Sequence, residues 1–130
     1  EPLEDYRASL ANVMARLAAA APQASCVLVG PVDFQRSVEL DGEPLTWEAR
    51  ERCTEIIEIQ RTAAAEAGCA FFDEKAMMGG EGSMHAWATA DPPLAKPDHL
   101  HFTPLGYTYL GRVLSDALMA DYDDPPPRSE

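Results

Sequence analysis

Near the C-terminal end of the chain, an acid and a base stand three residues apart: Asp98 and His101, in P-D-H-L-H-F-T-P-L-G-Y from Pro97 to Tyr107. In a turn, that spacing lets the carboxylate accept a hydrogen bond from the imidazole Nδ1–H while Nε2 stays free. A histidine held in this way is a competent general base for a seryl hydroxyl, and the carboxylate stabilises the imidazolium that forms. D-x-x-H also arises by chance and serves as a plain structural hydrogen bond in loops, so the pair takes its meaning from its surroundings.

A general base needs a nucleophile, and the serines offer little. Ser83, in G-E-G-S-M, has a glycine-rich setting but lacks the strand-to-helix elbow that exposes a nucleophile, and it reads as a loop or helix-cap residue. Ser9 and Ser115 fall within helical patterns, while Ser25, Ser37 and Ser129 have no convincing partner. His85, His99 and His101 together with Asp98 raise the question of zinc. In extended chain His99 and His101 point to one side and Asp98 to the other, so no metal and no cofactor is expected, and His99 reads as a loop residue at the rim. Gly79, Gly80 and Gly82 match neither phosphate-binding pattern and lack a following lysine, which leaves a tight turn as their use. Met78, Met84 and Trp87 either line an acyl or sugar pocket or pack in the core. Packing is the expectation, since large apolar residues are usually buried.

The elements that must position these residues follow from hydrophobic period. Leu3, Tyr6, Leu10, Val13 and Leu17 recur at three and four, predicting an amphipathic helix over residues 3–21 that ends at Pro22. Residues 25–30, S-C-V-L-V-G, read as a short buried strand. Residues 31–46 read as a surface excursion, and a second helix is expected over residues 47–67, with Cys53, Ile56, Ile57, Ala63 and Ala64 near one face and Gly68 as its stop. C-A-F-F-D, residues 69–73, is then a second strand, so the order is strand, helix, strand and the pairing should be parallel. Residues 77–87 begin as a glycine-rich loop and finish as a helical turn, and the proline-rich residues 91–102 form a loop. Thr103 can cap a last helix with Pro104 in its first position and Tyr107, Leu110, Leu114 and Leu118 on the buried face. The domain is expected to occupy residues 1–122 and a mobile tail residues 123–130.

With 130 residues and 46% hydrophobic content, the chain suits one globular unit or part of one. A formal charge of −12, from 10 basic and 22 acidic residues, opposes nucleic acid and anionic lipid surfaces, and no apolar run is long enough to span a membrane. The cysteines, Cys26, Cys53 and Cys69, have no C-x-x-C spacing and read by default as buried free thiols, with a disulfide or a redox role as the minor alternative. No signal peptide is visible, although the chain opens on Glu1 rather than methionine. Three amphipathic helices are offered only two short strands to cover, so the rest of the sheet is expected from an upstream segment or another chain.

The block from Asp98 to Tyr107 resembles the last block of the GDSL/SGNH hydrolase family, which supplies both the Asp and the His of a catalytic triad. P-Q-A-S-C-V-L-V-G-P-V-D is similar to the pattern following the family's asparagine block, and C-A-F-F-D-E-K-A-M-M-G-G-E-G-S-M-H-A-W looks like a variant from carbohydrate or peptidoglycan acetylesterases. The resemblance implies an α/β/α sandwich with a parallel, flavodoxin-like sheet, of which this chain is the C-terminal part. It also implies hydrolysis of small acyl esters, such as acetyl groups on a sugar, with Asp98 orienting His101 as base. The family's G-D-S, glycine and asparagine blocks are absent. The nucleophilic serine is therefore expected from the N-terminal half of the domain, in the same precursor or a second chain. A periplasmic or extracellular setting is common in that family. The alternative is a non-catalytic binding module in which Asp98 and His101 are structural.

Overall fold

A computed structural model of the chain describes residues 2–123, with side chains described as far as residue 120. The elements are α1 (Leu3–Ala20), β1 (Val27–Val29), β2 (Gln35–Val38), β3 (Thr46–Ala49), α2 (Cys53–Glu66), β4 (Ala70–Phe72), α3 (Glu74–Met78), α4 (Ser83–Ala88) and α5 (Pro104–Asp123). The helix α5 reaches the first residue of the expected tail, and the rest of that tail lies outside the described residues.

The expected parallel pair is β1 with β4, in the register Val27↔Ala70, Leu28↔Phe71, Val29↔Phe72. The intervening α2 lies against both strands and buries Cys53, Ile57, Ile59, Ala63 and Ala64. Each fully buried isoleucine contributes about 1.5–3 kcal/mol by removal from water. On its other side α2 meets α1, where the Gln60 side-chain amide donates to the Tyr6 hydroxyl at 2.8 Å.

Two expectations need correction. Residues 31–46 are not simply a surface excursion: β2 and β3 form an antiparallel hairpin pairing Gln35↔Ala49 through Val38↔Thr46. Trp47 consequently belongs to β3, and α2 starts at Cys53. Cys26 and Cys69 are not free thiols but a disulfide, with their α-carbons 4.7 Å apart. Each cysteine precedes its strand by one residue, so the parallel register that pairs Val27 with Ala70 sets them side by side. Cys53 alone is free and buried.

A second core, made of Val32, Met78, Met84, Trp87, Ala95, Phe102 and Leu110, supports the loop that carries Asp98 and His101. Met78, Met84 and Trp87 are thus packing residues, and the Trp87 indole N–H donates to the Met78 carbonyl at 3.1 Å. Gly79, Gly80 and Gly82 all have positive φ and make the tight turn between α3 and α4.

The apolar stripes of the outer helices are less covered than their periodicity predicts. Met14 is the buried residue of α1, whereas Val13 and Leu17 are exposed. On α5, Leu110 is buried and Leu114 half-buried, but Tyr107 and Leu118 are exposed. Val27 and Val29 of β1 are exposed as well. Among the described residues the parallel sheet has two strands, which is too little surface to cover both helical layers.

Candidate active site

Residues 95–102 form a narrow loop with bonded stems. Ala95 and Phe102 make an antiparallel bridge, the Lys96 N–H donates to the His101 carbonyl at 2.8 Å, and the Thr103 N–H donates to the Leu94 carbonyl at 2.9 Å. At its base Thr103 caps α5 as expected: its hydroxyl accepts from the Gly106 N–H at 3.2 Å and lies 2.9 Å from the Pro93 carbonyl. Gly106 is required because α5 approaches the Leu94 carbonyl so closely that a Cβ there would overlap it.

The structure brings Asp98 and His101 together at the tip. Asp98 Oδ2 lies 2.8 Å from His101 Nδ1, and Asp98 Oδ1 accepts from the backbone N–H groups of Leu100 and His101, both at 3.0 Å. The His101 N–H, the His101 ring and the Leu100 N–H, in that order, hold the Asp98 carboxyl well below the usual carboxylate range. An ionised Asp98 accepts only, so the proton between the two groups sits on Nδ1, and in the neutral ring Nε2 is then the acceptor. The pair is open to solvent, with side-chain exposures of 57% for His101 and 47% for Asp98.

No serine hydroxyl completes the pair among the described residues. The Ser83 hydroxyl is buried at the start of α4 and meets no hydrogen-bond partner. Ser9, Ser25, Ser37 and Ser115 lie on the surface, and Ser129 lies outside the described residues. Nor do three or more His, Cys, Asp or Glu side chains among the described residues gather closely enough to hold a metal ion.

His99 is the residue whose placement differs most from its reading. It is not at the rim but 3% exposed, with φ at 52°, and its ring stacks on Trp47 of β3 at 3.6 Å between centroids and 16° between planes. Its Nδ1 lies 2.7 Å from Gln35 Oε1, and its carbonyl accepts from the Gln35 N–H at 3.5 Å. The Gln35 amide in turn donates to Asp33 Oδ2 at 3.3 Å, an oxygen that also accepts from the Met84 N–H at 3.2 Å. Lys75 places its ammonium 3.3 Å from the other Asp33 oxygen. Asp33 and Lys75 stood in the sequence only as members of the blocks quoted for the resemblance, and Gln35 and Trp47 carried no signal, because what gives Gln35 its role is its meeting with a loop some 60 residues later. The Asp41-Gly42 turn, with Gly42 at φ 84°, was the local cue for the hairpin that delivers two of them.

No protein-family model matches the chain, and no curated protein matches it in sequence. Among solved structures it is similar to a peptidoglycan O-acetylesterase, at 22% identity and a TM-score of 0.79, over 92% of this chain and 33% of that one. The chain thus spans about a third of the length of the structure it matches. Its parallel strands and flanking helices form an α/β fold that superposes on that segment, the fold class expected from the sequence.

Proposed function

We propose that Asp98 and His101 are the orienting carboxylate and general base of an acyl-ester hydrolase whose nucleophilic serine comes from a segment outside this sequence. The observation that carries this reading is the loop tip itself: Asp98 is anchored by two backbone N–H groups, bonds Nδ1 of His101, and leaves Nε2 free and exposed. Likeness of fold to a peptidoglycan O-acetylesterase supports the same reaction class, and small acyl esters on a carbohydrate are the substrates proposed.

In that reaction Nε2 of His101 takes the hydroxyl proton as the serine oxygen attacks the ester carbonyl carbon. The imidazolium is stabilised by Asp98, which stays ionised because its hydrogen bonds favour the charged form. His101 then returns the proton to the departing alkoxide, leaving an acyl-serine. A water that gives its proton to Nε2 attacks the acyl carbon, and the proton passes back to the serine as the acid leaves. The exposure of the dyad and the uncovered faces of β1, α1 and α5 fit a site that the serine-bearing segment would close over.

The test is turnover of an acetyl ester by the complete protein and by its His101→Ala variant. A loss on the order of 10³-fold or more supports general-base catalysis. Unchanged turnover would assign Asp98 and His101 to loop structure and favour a non-catalytic binding module. A fluorophosphonate probe followed by intact mass of each polypeptide locates the serine.

A further inference from the structure

The hydrogen bonds behind His99 fix its protonation pattern without reference to any ligand. Asp33 Oδ2 accepts from the Met84 N–H while the other carboxyl oxygen faces the Lys75 ammonium, so the Gln35 atom facing Oδ2 is its NH₂ group. Gln35 therefore turns its carbonyl oxygen toward His99, and an amide oxygen has no hydrogen to give. The 2.7 Å contact then requires the proton on Nδ1 of His99. Burial, followed by the neighbouring His85 ring, pushes the His99 pKa down, which keeps that ring uncharged and leaves Nε2 bare.

This locked ring sits between the two members of the dyad in sequence. Its backbone is in the left-handed region, uncommon for a residue with a side chain although histidine enters it more readily than most. The β2–β3 hairpin restrains it through the Gln35 side chain, the Gln35 N–H and the Trp47 face, beside a local bond from the His99 N–H to the Lys96 carbonyl at 3.1 Å and the tilted His85 ring of α4 at 5.1 Å. Asp98 and His101 are exposed, and their hydrogen bonds to each other, to the Leu100 N–H and to the Lys96 N–H all stay within the loop, so the hairpin contacts of His99 tie its tip to another element.

We propose that His99 is a positioning residue: clamped between Gln35 and Trp47, it sets the loop geometry in which Asp98 holds the Nδ1 proton of His101. The role rests on the reading that the dyad is catalytic, but its test does not use turnover. Histidine-selective ¹⁵N labelling of the full chain, read by two-bond imidazole spectra at neutral pH, reports which nitrogen carries the proton and how fast it exchanges. The expected wild-type result is an Nδ1 proton on both His99 and His101.

Trp47→Leu removes the stack from an outer strand, and His99→Asn removes ring and hydrogen bond while keeping a residue that accepts left-handed backbone. With both variants folded by circular dichroism, the His101 Nδ1 proton is expected to exchange roughly two- to tenfold faster than in wild type, the range a lost aromatic contact gives to local opening. A purely structural His99 would lower the melting temperature and leave that signal unchanged. Wild-type His99 protonated on Nε2, or an unaltered His101 signal in both variants, overturns the proposal. A His101 signal that depends on Trp47 in a protein lacking esterase activity would support the clamp while refuting the catalytic reading.

Discussion

Gly106→Ala tests the geometry beneath the dyad, because two effects of opposite sign meet at one residue. Replacing glycine by alanine inside a helix ordinarily stabilises by about 0.8–1 kcal/mol. At Gly106 the new methyl would overlap the Leu94 carbonyl oxygen, stand 2.9 Å from its carbon and 3.2 Å from Phe102 Cβ. Backbone atoms cannot rotate away as a flexible side chain can, so α5 or residue 94 must shift. Overpacking of this kind costs about 1–3 kcal/mol, and displacing Leu94 also weakens its bond from the Thr103 N–H, a further ~1 kcal/mol. The sum is a net loss of about 1–3 kcal/mol. Gly111 is the control: it lies on the same helix with nothing within 4 Å of its would-be Cβ, so Gly111→Ala should stabilise by roughly 0.5–1 kcal/mol. Urea unfolding of the two variants beside wild type gives both signs. If Gly106→Ala stabilises as much as Gly111→Ala, the close approach of α5 to Leu94 is wrong, and the account of how the loop is held goes with it.

Thiol titration of the denatured, unreduced protein should find one free thiol, Cys53, and reduction should add two as the Cys26–Cys69 bond opens. Three thiols before reduction would refute the disulfide; loss of the bond should cost about 2–5 kcal/mol. Lys75→Met leaves the fully buried Asp33 without its cation and should destabilise by about 3–5 kcal/mol, with a near-neutral result ruling out the ion pair. His99 contributes to acid sensitivity. Because its folded pKa is lowered, the unfolded chain binds the proton more readily, so its stability contribution is complete above pH 6.5 and declines as pH falls toward the folded value. Unfolding free energies measured across that window should lose part of their slope in His99→Asn, and an unchanged slope would place the titration elsewhere.

What the sequence determined by itself was local or periodic. A three-residue offset in a turn is short enough to join Asp98 to His101 whatever surrounds them, and a threonine before Pro104 caps a helix through bonds that span four residues. The apolar runs 25–30 and 69–73 around an amphipathic helix were sufficient for a parallel pair, because two strands joined by a crossover helix run in the same direction. Tertiary structure decided whatever depends on distance along the chain. The Cys26–Cys69 bond follows from a strand register that no spacing encodes. The β2 strand, Q-R-S-V, has too little β-branched or alternating character to announce itself, and it is a strand because Thr46–Ala49 lies beside it. His99 looked like any loop histidine, since hydropathy cannot foresee that Trp47 and Gln35, far away along the chain, come to cover it. Periodicity likewise found the apolar stripes of α1 and α5 but not their neighbours. Burial is a property of what stands opposite, and along those stripes Val13, Leu17 and Leu118 face open solvent.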